Sequence, residues 1–133
     1  MRKYSLHIDE DQAKVLIKAL DLYSRIGLGQ FQEIIYAFNW RKIVGREDFD
    51  LRYGEAKEHL NKAKFHLTLH PPNASLGIFC KETPEEAKMT WDIQQVVRHR
   101  LAWDKEPKGG WRVDFDNPMQ SSQKQLPTIK EEK

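Results

Sequence analysis

The chain has 133 residues, 39% of them hydrophobic and 32% charged, enough for one domain with a core and too apolar for a disordered protein. With 22 basic against 20 acidic side chains and a net charge of +2, nucleic acid is not an expected partner, and any anion site must be local. The single cysteine, Cys80, excludes an internal disulfide and fits a reducing compartment.

In chain order, "KYSLHID" alternates, with Tyr4, Leu6 and Ile8 on one face, which predicts a half-buried strand. Asp9 offers an N-cap. The next helix places Val15, Leu16, Ala19, Leu20, Leu22, Tyr23 and Ile26 on its inner face, and Gly27 is its expected left-handed cap. "QFQEIIYAFNWRKIV" predicts a second helix over residues 30–44, stopped by Gly45. It is poor in outward basic residues, so the pair reads as an antiparallel hairpin rather than a DNA-reading motif.

"REDFDLRYG" reads as a loop with Phe49 and Leu51 tucked inward. "EAKEHLNKAKFHL" predicts a short helix passing into the extended "HLTLHPP", and "SLGIF" a further strand. Thr83, Pro84 and Glu86 announce a long helix to about Trp103, with Thr83 as N-cap and Glu86 completing a capping box. "KEPKGG" breaks the chain and "WRVDFD" alternates as a last strand. The expected fold is therefore α+β: a helical hairpin and one long C-terminal helix packed on a small antiparallel sheet. Residues 1–116 would form the domain, with 117–133 an irregular tail.

The stretch "TWDIQQVVRHRLAWD" carries the chemistry. Met89, Ile93, Val96, Val97 and Leu101 form its apolar arc, with Arg100 near the middle. A buried guanidinium needs a partner: Asp48, Asp50 or Asp114 in a structural reading, a phosphate in a functional one. Trp91, Gln95 and Arg98 stack on the far side, and His99 neighbours Trp103. A tryptophan beside an arginine offers a stacking plane next to a hydrogen-bonding fork, suited to a nucleobase and a phosphate.

Other signals are thinner. "HLTL" at His66 to Leu69 matches one element of a two-histidine phosphoesterase, but a second copy is missing. The histidines and Cys80 lack the spacing of a metal site, Gly109-Gly110 is not flanked as a phosphate loop is, and no cofactor motif occurs. No segment approaches the roughly 20 apolar residues that span a bilayer, and the acidic first ten residues do not read as a signal peptide.

Three stretches, "LYSRIGLGQFQEI" (22–34), "WDIQQVVRHRLAWD" (91–104) and "GGWRVDFDNPM" (109–119), together resemble a family of small tailed-phage and prophage accessory proteins. The resemblance implies a protein acting by occupancy in the bacterial cytoplasm, with no catalytic residues to carry over. The leading expectation is a non-enzymatic homo-oligomer that sequesters an anionic nucleotide-like ligand, such as a cyclic ADP-ribose or cyclic oligonucleotide signal of host defence. Trp91, Arg98, His99, Arg100, Trp103, Arg112 and Asp114 would line its site. The alternative is an inhibitor or regulator of a host enzyme, binding through Trp91. A cyclic-nucleotide phosphodiesterase built on His66 and Thr68 stands third.

Overall fold

The computed structural model describes residues 1–38 and 45–132. Four α-helices follow one another among them: α1 (Glu10–Gly27), α2 (Glu33–Tyr36), α3 (Phe49–Thr68) and α4 (Glu85–Lys105), then a 3-10 turn at Val113–Phe115. The described residues contain no strand. The fold is all-helical, and the expected α+β class with its antiparallel sheet is wrong. No helix among them is long and apolar enough to cross a membrane.

The three expected strands fail for one reason. Alternation allows a chain to be extended, but a strand also needs a neighbour to take its backbone N–H and C=O groups. Tyr4 and Leu6 lie on an N-terminal segment without regular structure and are 87% and 73% exposed. "SLGIF" contributes one such bond outside its own turn, from Leu76 N to Leu28 O at 2.8 Å. "WRVDFD" tightens into the 3-10 turn instead.

The pair that holds the molecule is α1 against α4. Asp9 caps α1 as expected: Gln12 N donates to its Oδ1 at 2.8 Å, and Gln12 Oε1 accepts from Asp9 N at 3.0 Å. The face turned to α4 overlaps the expected one only in part, at Leu20 and at Tyr23, whose hydroxyl reaches Glu86. Ala13 and Ser24 are buried, with Ile17 and Leu20 half-buried between them, whereas Val15 and Ala19 are exposed. Small residues decide this choice. A Cβ on Gly27 would stand 2.5 Å from Ala87 Cβ, and Ser24 Oγ donates to Ala87 O at 3.0 Å. Only there can the two backbones approach this closely. Gly27 is thus the last helical residue, Leu28 caps with a right-handed φ of −82°, and Gly29 takes the positive φ of 86°.

The start of α4 also departs from expectation. Pro84 holds the cap position without a side-chain bond. Thr83 is buried and donates instead to Gly77 O at 2.6 Å. Glu86 accepts from Tyr23 OH at 2.9 Å, tying α4 to α1 rather than closing a capping box. From Ala87 to Ala102 no residue of α4 is exposed. It is the central helix.

The expected second helix shrinks to α2; residues 39–44 lie outside those described. The expected loop "REDFDLRYG" is largely the start of α3, and Leu51 points outward at 67% exposure. "HLT" closes α3 rather than extending, with Leu69 at a left-handed φ of 61°. The buried Lys64 docks this end: its ammonium donates to Pro72 O at 3.0 Å and to Ala74 O.

Candidate functional site

The last two turns of α4 carry most of the residues expected to bind a ligand, and the chain after it folds back upon them. Two glycines permit the return. Gly109 has a φ of 83°, and a Cβ there would lie 3.1 Å from the Trp103 ring. A Cβ on Gly110 would lie 2.7 Å from the Phe115 ring. With hydrogens in those places, Trp103 and Phe115 meet edge to face at 5.4 Å between centroids. Trp103 Nε1 donates to Phe115 O at 3.3 Å, and Arg112 lies 5.6 Å from the Phe115 centroid. Arg98 donates to Asp114 and forms an ion pair with it, the two side chains 31% and 19% exposed. His99 meets the edge of Trp103 at 6.4 Å.

Arg98, His99, Trp103, Arg112 and Asp114 are therefore one cluster. Arg100 and Trp91 are not in it. Arg100 is 37% exposed and pairs with Asp104 at 3.1 Å and Glu131 at 3.8 Å. It does not sit in the apolar arc, and none of Asp48, Asp50 or Asp114 is its partner. The helix is enclosed by several elements, so a two-sided projection misplaces the gaps between them. Trp91 lies twelve residues before Trp103, roughly 18 Å along the axis. Its indole N–H is buried without a partner among the described residues.

Electrostatically, the arginines that would grip a phosphate already hold carboxylates. Asp114 takes Arg98, and Asp104 with Glu131 takes Arg100. Asp48 takes Arg46 and Arg52, whose hydrogen bonds hold its carboxyl down at about 2. Lys105, Lys108 and Arg112, around the turn, form no ion pair among the described residues. Between them Trp111 projects into solvent, fully exposed, with Val113 71% exposed beside it.

The concave surface lies elsewhere. One open groove runs along α3, lined by Gly54, Asn61, Phe65, His66, Pro71 and Pro72; another lies beside Arg46, Glu47, Asp48 and Leu51. Neither includes an expected ligand residue. His66 and Thr68 stand on the last helical turn of α3, where two residues are about 200° apart. The Thr68 hydroxyl donates to Lys64 O at 2.7 Å and accepts from His70 N at 3.1 Å. Cys80 Sγ donates to Glu82 at 2.8 Å, which lowers the Glu82 carboxyl from its ordinary range. No three histidine, cysteine or acidic side chains among the described residues stand where they could share a metal ion.

Sequence reasoning missed Asp92. It is 2% exposed and accepts from Ser121 N at 2.6 Å, Ser121 Oγ at 2.8 Å and Ser122 N at 3.0 Å. Ser121 Oγ also lies within bonding distance of Lys88 O at 3.1 Å. This carboxylate straps residues 121 and 122 to the middle of α4. The only hint was an acid at the helix centre; its serine partners are 29 and 30 residues away. Trp111 was also passed over, as one position of a supposed strand.

No protein-family model, characterised protein or solved structure matches this chain.

Proposed function

We propose that this chain is a non-enzymatic binding protein that acts by occupying a partner protein, with Trp111 as its anchor. One observation carries the reading: Trp111 is fully exposed on a segment pinned to α4 by the Arg98–Asp114 pair and the Trp103–Phe115 contact. A tryptophan held out on a braced turn loses little conformational freedom on insertion into a pocket, and tryptophan is a residue type that dominates such contacts. Lys105, Lys108 and Arg112, without an ion pair among the described residues, favour an acidic rim on the partner. The resemblance to phage accessory proteins suggests a bacterial host enzyme as that partner. Small ligands are usually enclosed over most of their surface, and a protruding indole does not enclose one.

The test is retention of one stoichiometric host protein by the immobilised chain. Trp111→Ala should weaken that complex by about thirtyfold or more, as loss of a central anchor does, with Trp111→Phe intermediate. Equal retention by the parent and Trp111→Ala would refute the assignment.

A second reading keeps the nucleotide-like ligand, favoured by Arg112, a cation without a carboxylate beside an exposed indole. Heat-released material from protein incubated with cyclic nucleotides would then contain an intact nucleotide, absent from an Arg112→Ala preparation.

A further inference from the structure

Helix α1 carries two apolar seams of identical spacing. The first, Ala13, Ile17, Leu20 and Ser24, faces α4, as the Ser24–Ala87 bond and the Gly27–Ala87 approach demonstrate. The second, Val15, Ala19, Leu22 and Ile26, repeats the same steps of four, three and four about 200° round the helix. Val15 is 66% exposed, Ala19 exposed, Leu22 half-buried and Ile26 36% exposed. Steps of four and three are those of a helix–helix seam.

Among the described residues no other helical surface has this character. On α3, Leu51 and Phe65 share a side, but Gly54, Glu58 and Lys62 lie between them. The surface area points the same way. A compact protein of 15.7 kDa exposes roughly 7,300 Å², whereas this chain exposes 10511 Å². The excess, roughly 3,200 Å², is spread over the N-terminal segment, α3 and Trp111 as well as this seam, and it exceeds the roughly 1,000–2,500 Å² each member of a permanent pair gives up. Among the described residues the buried apolar ones are Ala13, Leu28, Ala87, Val96, Val97 and Ala102, with no aromatic side chain among them. That is a thin core for a chain of this length.

We infer that the second seam of α1 is the interface with a second copy of this chain, the two α1 helices packed antiparallel about a two-fold axis near Ala19 and Leu22. The small side chain of Ala19 admits a close crossing. Charge selects the direction. Parallel pairing sets Asp11 against Asp11 and Lys18 against Lys18, while antiparallel pairing separates these like charges and turns the acidic first turn, Glu10 and Asp11, toward the last turn of the other helix, where Arg25 is paired with Asp21 at 2.9 Å.

Sedimentation equilibrium of the full chain tests this. The parent is expected at twice 15.7 kDa. Val15→Glu/Ala19→Glu is expected as a monomer of unchanged helical circular dichroism, because both positions are exposed within one chain; Leu67→Lys on α3 should remain paired. Cross-linking supplies an independent reading in a Cys80→Ser background. A short bismaleimide should join two Ala19→Cys chains and leave Lys14→Cys and Val15→Cys chains unjoined. A parent that sediments as a monomer overturns the inference, as does a pair that survives Val15→Glu/Ala19→Glu. Efficient joining of Val15→Cys chains would overturn the antiparallel arrangement.

Discussion

Helices α3 and α4 are nearly equal in length, 20 and 21 residues, and opposite in fate. Every residue of α4 from Ala87 to Ala102 is buried or half-buried, with Asp92 and Gln94 at 2% and 3% exposure. On α3 only Lys64 is buried, while Leu51, Phe65 and Leu67 stand in solvent. Hydrophobicity did not sort them. What separates them is the supply of specific partners: small residues on α1 that let a backbone approach, and serines that satisfy a buried carboxylate. Polar residues organise the covered helix, and apolar residues decorate the open one.

The largest effect should come from the strap. Asp92→Ala leaves the Ser121 and Ser122 donors without their charged acceptor, and stability should fall by about 2–4 kcal/mol. Urea unfolding would measure it, and hydrogen exchange at Ser121 and Ser122 should rise with it. Unchanged exchange would mean the strap is held by something else.

Next comes the close approach. Gly27→Ala should cost about 1–3 kcal/mol through overpacking against Ala87, although alanine is the better helix former by nearly 1 kcal/mol. A stabilised variant would show that α1 and α4 can separate without penalty. By contrast, Leu51→Lys on the open side of α3 should stay within about 0.5 kcal/mol of the parent.

The smallest effect is electrostatic and sits at the start of α3. Asp48 is held at about 2 by Arg46 and Arg52, against an ordinary 3.8. Because the folded value is the lower, whatever this cluster contributes is present above the ordinary value and lost as pH falls toward 2. A carbon-detected NMR titration should place the Asp48 midpoint near 2, and Arg52→Gln should move it upward.

Single residues show how much could be read in advance. Asp9 was legible as a cap because its partner Gln12 is three residues away, and capping is local chemistry. The length of α4 was legible from its period and its proline start. In the candidate site, Trp103 and His99 were legible as neighbours because i and i+4 meet on any helix. Arg98 with Asp114 was not, since the two are 16 positions apart with a glycine turn between them. Nor was the split of α1 into an occupied and an open seam, because Val15 and Ala13 present similar apolar side chains to any periodic test.

The amino-acid order by itself determined where helices α1 and α4 run, the local cap at Asp9, and the chain break at the two glycines. These depend on groups within one or two turns of each other. Only the tertiary structure decided that the alternating segments remain unpaired, which arginine meets which carboxylate, and which face of α1 meets α4. Those outcomes are competitions among distant partners for contact, and for the face of α1 the winner was set by the close approach at Gly27 and Ala87.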